Sequence, residues 1–105
     1  VPVILRLEFR IELRRLTGQL QTISGDAAVR DRRAELSRLI ELLRVQPRVF
    51  QRCAGSVQRG EWRLAELGWW WVLYEVIVDD RDRAVRVILH RVVSHRPASL
   101  TKLLD

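Results

Sequence analysis

The sequence predicts an α+β domain: two N-terminal helices packed on a small twisted, mainly antiparallel sheet, in the order β-α-α-β-β-β. Three observations predict it. Apolar residues recur at helical spacing between Phe9 and Leu20 and again between Val29 and Leu43. From Glu61 onward the chain switches to strand-like segments rich in aromatic and β-branched residues. Polar turns separate those segments. With 105 residues the chain suits a single domain spanning 1–105, because a second core would need more chain.

The elements follow in order. From Val1 to Glu8, Val3, Leu5 and Leu7 face one way and Ile4, Arg6 and Glu8 the other, as in a half-buried strand. Phe9, Leu13, Leu16 and Leu20 then mark one helix stripe, with the helix ending between Thr17 and Thr22. Ser24-Gly25-Asp26 breaks the chain, and either Ser24 or Asp26 is suited to cap a second helix. That helix runs from Ala27 to Val45 on a stripe of Val29, Leu36, Leu39, Ile40 and Leu43, with Arg32 and Arg33 off it. Pro47 stops it, and Gln46 to Gly60 is a connector. Glu61–Leu67, Trp69–Val78 and Ala84–Val93 read as three strands joined near Gly68 and by the polar run Asp79 to Arg83. In the last, Val85, Val87 and Leu89 oppose Arg86, Ile88 and His90. After Pro97, Leu100, Leu103 and Leu104 suggest a short closing helix or tail.

Composition excludes several classes. Apolar residues at 48% and charged residues at 30% describe a globular chain. The apolar run Leu67 to Ile77 is too short to span a bilayer and is interrupted by Glu75. The N-terminus shows no basic-then-apolar leader pattern. Cys53 is the single cysteine, so no internal disulfide and no Cys/His zinc pattern arises, and a reducing cytoplasm is the expected location. Nineteen basic residues against 13 acidic ones leave a net charge of +6, and Lys102 is the sole lysine. Arginine makes bidentate phosphate contacts and stacks on planar groups, so the excess favours an anionic partner such as a nucleic acid. A GC-rich coding sequence would also raise arginine, but it explains the net charge less well.

Several segments resemble the RelE/ParE superfamily of bacterial toxins, including its HigB-like branch. Trp70-Trp71-Val72-Leu73-Tyr74-Glu75-Val76 is similar to the family's third-strand pattern, aromatic-Arg-Val-Ile/Leu-Tyr-Glu-Val. Val93-Ser94-His95-Arg96 looks like its Val-Gly-His-Arg at the end of the last strand, and Glu61-Trp62-Arg63-Leu64 like its Trp-Arg-Leu second strand. Leu36 to Pro47 is similar to its second helix and the proline that follows. These matches cover a little under half of the chain, and the element order extends the likeness over most of the rest. The resemblance implies a toxin of a type II toxin–antitoxin system, neutralised by a cognate antitoxin in a toxin–antitoxin hetero-oligomer, with no cofactor, no metal and no membrane partner. It implies one of two targets: mRNA on the ribosome, cut by a metal-independent endoribonuclease, or DNA gyrase, inhibited without chemistry. A degenerate member that binds only its antitoxin is a further alternative, as is a nucleic-acid-binding module outside the family. Fold alone does not choose among them.

Metal-free RNA cleavage must deprotonate a 2′-hydroxyl, stabilise the phosphorane and protonate the leaving 5′-oxygen. The resemblance places catalytic candidates at His95, Arg96, Arg63 and His90, and RNA-contacting candidates at Arg59, Arg91, Trp71 and Lys102. Each has a plainer alternative: a solvated histidine, a solvated strand-end charge, or, for Arg63, a cross-strand partner of Glu66 or Glu75. The pattern also departs from the family. Trp71 stands where an arginine is common, Pro97 to Leu100 covers the position where RNA-cutting members often carry a tyrosine, and the second-strand lysines are absent. Alternation puts Trp70 on one face of the sheet and Trp69 and Trp71 on the other, so at least one indole is core and at least one is open. An open Trp71 suits an antitoxin side chain or a stacked base.

Overall fold

The computed structural model describes residues 1–53 and 60–97. Its elements are β1 (Val3–Leu5), α1 (Leu7–Val45), β2 (Gln51–Arg52), β3 (Glu61–Leu67), β4 (Trp70–Val78) and β5 (Ala84–Val93). The α+β class is the one the sequence predicts. The five strands form one sheet in the order β1-β5-β4-β3-β2. All neighbours are antiparallel except β1, which runs parallel to β5 with Ile4 opposite Ile88.

The helical part differs from expectation. The helical span is continuous over 39 residues as α1, but Gly25, at φ 84° and ψ −177°, is non-helical and divides it into two arms, so the break between the two predicted helices is one residue wide. A residue without a Cβ reaches that conformation cheaply, so the chain reverses there and resumes helical geometry at once. The two arms of α1 then lie side by side, because Leu13 on the first and Leu36 on the second line one groove. The helix also starts earlier than the alternation suggests. β1 ends where the Arg6 amide donates to the Leu89 carbonyl, and the Arg10 amide already donates to the Arg6 carbonyl. Leu7 therefore leaves the strand pattern and is exposed.

The core lies between α1 and one face of the sheet. Phe9, Leu16, Leu39 and Leu43 pack on Ala65, Leu67, Trp70, Val72, Tyr74, Val76, Val87, Leu89 and Val92. These helix residues belong to the two predicted stripes. β3 and β5 keep the boundaries read from the sequence, while β4 begins at Trp70 because Trp69 sits in the turn. Within the connector, β2 is a strand the sequence reading leaves out: two polar residues that carry no periodicity, held by pairing with Leu64 and Arg63. The register of β5 against β4 slips twice, passing over Val85 and His90. Such bulges re-aim side chains. Val85 is consequently exposed rather than inward like Val87. No helix among the described residues is long and apolar enough to cross a membrane. The closing helix expected around Leu100 to Leu104 lies outside the described residues.

Candidate functional site

Alternation divides the sheet. One face is covered by α1; the other carries Trp62 and Leu73 with Leu64, Val93 and Cys53 packed around them, a second and smaller apolar cluster. Trp71, Glu75 and His90 belong to this second face. Trp70 is buried under α1 and Trp71 is half-buried on the other face, so these two indoles part as alternation requires, while Trp69, in the turn and outside the strand predicted to hold it, is 81% exposed.

Two groupings stand on the second face. The first centres on His90. Its Nε2 lies 2.9 Å from Glu75 Oε1 and its Nδ1 lies 3.1 Å from Arg6 Nη1. A guanidinium only donates, so Nδ1 accepts and Nε2 carries the proton given to Glu75. The Trp62 ring lies beside the imidazole at 4.5 Å between centroids. Burial holds His90 below the ordinary histidine range. Glu75 pulls the other way, and Arg6 reinforces the burial. His90 is thus a neutral imidazole with both nitrogens engaged. The bulge produces this, since His90 is the residue passed over between the pairs Tyr74–Leu89 and Leu73–Arg91.

The second grouping is where β5 ends. Trp71 pairs with Val93, the last residue of the strand. Just beyond it His95 and Arg96 are exposed, and the Arg96 guanidinium lies 5.2 Å from the Trp71 ring centroid. Trp71 and Glu75 are four residues apart on β4, which separates the groupings by about 13 Å along the strand.

The remaining site residues sit elsewhere. Arg63 turns to the α1 side, where its Nε donates to Glu61 at 2.9 Å and its Nη1 donates to the carbonyls of Phe50 at 2.6 Å and Arg48 at 3.2 Å. Its carboxylate partner is therefore Glu61, not Glu66 or Glu75. Arg48 also donates to Glu61. Burial pushes the Glu61 carboxyl up, but hydrogen bonds from Arg48 and Arg63 outweigh it and hold it below the usual carboxylate range. Tyr74 closes the corner by donating to the Pro47 carbonyl at 2.9 Å, and its phenol is pushed up to about 12, chiefly by burial. Cys53 is half-buried, and burial raises its thiol against the pull of Arg63. Arg91 reaches from β5 to α1, where its Nε and Nη2 both donate to Glu12, at 2.7 and 2.6 Å. Arg59 and Lys102 lie outside the described residues.

The structure thus brings Trp71, His95 and Arg96 together at one end of the sheet and His90 to the same face. It sends Arg63 and Arg91 into contacts with the helix and connector. Sequence reasoning missed Arg6, Trp62 and Glu75 as the surroundings of His90. The pairing of Trp62 with Glu75 across β3 and β4 could have signalled those two, but not Arg6. Among the described residues no three His, Cys, Asp or Glu side chains converge as a metal site would need. Neither the models of known protein families nor the curated proteins match this chain.

Proposed function

We propose that this chain is a RelE/ParE-type toxin of a type II toxin–antitoxin system that cuts ribosome-bound mRNA without a metal and so inhibits translation, and that a cognate antitoxin neutralises it. The observation that carries the reading is the Arg96 guanidinium over Trp71 beside the exposed His95, on a sheet face not covered by the helix. In this reading Trp71 stacks on a base, Arg96 neutralises the scissile phosphate, and His95 exchanges a proton with the reacting oxygens. The expected +6 attraction to RNA supports it. One observation favours a second reading, a gyrase inhibitor without chemistry. His90 and Arg63 are held by internal partners, which leaves His95 as the exposed imidazole of the two histidines.

Induction of the chain in bacteria separates the two. Labelled amino-acid incorporation should collapse first, with new mRNA 5′ ends inside coding regions. DNA damage with translation intact would overturn the endonuclease reading in favour of the inhibitor. His95→Ala and Arg96→Ala should each lower cleavage by roughly 10²-fold or more while leaving the thermal midpoint nearly unchanged. Full toxicity in both variants would remove these residues from the site.

A further inference from the structure

The groove between the two arms of α1 concentrates positive charge. It has a volume of about 400 Å³, with Leu13 and Leu36 among its walls and Arg10, Arg14, Arg32 and Arg33 around it, and no acidic side chain lines it among the described residues. Arg32 sets this groove apart from a merely solvated basic face. It is only 8% exposed, and its Nε and Nη1 are buried without a hydrogen-bond partner. The carboxylate paired with it, Glu35, stays 3.8 Å from Nε, beyond hydrogen-bonding range. Buried guanidinium donors are ordinarily matched by acceptors, and an unmatched one is costly.

Arg32 packs against the sheet side of the groove. Its guanidinium lies 4.2 Å from the Trp70 ring centroid. The turn before β4 approaches so closely that a Cβ on Gly68 would fall 2.5 Å from Arg32 Cζ. Gly68 also has a φ of 61°, so glycine suits this position on both counts.

We infer that the groove between the arms of α1 binds a phosphate-bearing ligand of nucleotide size, with Arg32 as its anchor. The volume falls within the range of small-molecule sites. Four guanidinia around one small groove call for dense negative charge. A diphosphate supplies that in one group, where separate carboxylates would crowd. The leucine walls take the less polar part of the ligand. A turn of the Arg32 side chain away from Glu35 brings its unmatched donors onto phosphate oxygens. The phosphate can come from a free compound or from a nucleic-acid backbone. The groove involves neither Trp71 nor Arg96, so it stands independently of the toxin reading.

Calorimetric titration of the full chain with inorganic pyrophosphate tests this. Saturable one-to-one binding is expected. Arg14→Gln and Arg33→Gln should each weaken it about tenfold, the worth of one charge-assisted contact, and Arg32→Gln more. Arg14 and Arg33 are exposed helix residues, so their variants decide the matter even if Arg32→Gln unfolds. Arg86→Gln removes the same charge from β5 and should stay within about twofold of the parent. No saturable binding, or an equal loss in Arg86→Gln, would overturn the site. Displacement of pyrophosphate by a single-stranded oligouridylate identifies the backbone as the source; binding without displacement identifies a free phosphate compound.

Discussion

Two corners of this sheet are built from the same materials, arginine beside an aromatic ring, and they use them differently. At the connector, Arg63 meets Glu61 and the carbonyls of Arg48 and Phe50, while Tyr74 donates to the Pro47 carbonyl. Donors and acceptors are matched in a dry place, and the phenol is accordingly pushed up to about 12. At the exit of β5, Arg96 meets only the π-face of Trp71 in the described contacts, and its flanking His95 is exposed. An arginine's role is therefore set by the acceptors that the fold brings to it. Where carbonyls converge it is a structural clamp, and where only a ring is offered its donors stay available to a ligand.

The largest test of this contrast is a stability comparison. Arg63→Ala leaves the buried Glu61 with Arg48 alone and strands two connector carbonyls, at a cost on the order of 2–4 kcal/mol. Arg96→Ala should change stability by no more than about 0.5 kcal/mol, as exposed substitutions usually do. Urea unfolding of both variants measures the difference, and equal losses would break the contrast.

Acid should then open the two faces in sequence. A histidine held below its ordinary value near 6.5 is neutral in the fold while the unfolded chain already takes up a proton. The stability tied to His90 is thus complete above about pH 6.5 and is lost as pH falls through its lower folded value. Glu61, held below 4.5, contributes fully above that value and loses its contribution only as pH falls through its own folded value. Thermal midpoints followed from pH 8 to 3 should therefore decline in two stages, with His90→Gln abolishing the upper stage and Glu61→Gln flattening the lower. A single decline unaffected by His90→Gln would contradict the engaged imidazole.

Much of the frame was legible because periodicity reports burial directly. The inward positions Phe9, Leu16, Leu39, Leu43, Val87 and Leu89 follow from spacing alone, as does the parting of Trp70 from Trp71. What escaped depends on contacts between distant residues. The break between the two arms of α1 is confined to Gly25, where the sequence offers the wider breaker Ser24-Gly25-Asp26. The exposure of Val85 depends on a bulge, and β2 exists only because β3 offers an edge. The same limit applied to the site. The positions of His95 and Arg96 at a strand end were readable, but the partners of Arg63 are backbone carbonyls, to which sequence pattern is blind. Arg32 lay off the apolar stripe and gave no sign that Trp70 and Gly68 would enclose it.

Removing single donors refines the contrast further. Tyr74→Phe keeps the ring that meets Phe50 edge-on at 6.4 Å but deletes the hydrogen bond to Pro47. The expected loss is about 1 kcal/mol, one ordinary hydrogen bond, read from the urea midpoint at constant slope. No loss would mean that the connector is fixed by the Arg63 clamp alone.

The smallest expected effect tests the open corner itself. If Arg96 rests on Trp71 only through the ring face, a double-mutant cycle of Trp71→Leu and Arg96→Ala should give a stability coupling of about 0.5–1 kcal/mol, the size of an exposed cation–π contact. A coupling of several kcal/mol would make this corner a second structural clamp and remove the reason for assigning it to a ligand. The same cycle read as mRNA cleavage should behave otherwise. If Trp71 and Arg96 act as a unit on one substrate, each single variant should lose most of the activity and the double variant little more. Weak coupling in folding with strong coupling in activity is the signature that separates a site from a scaffold.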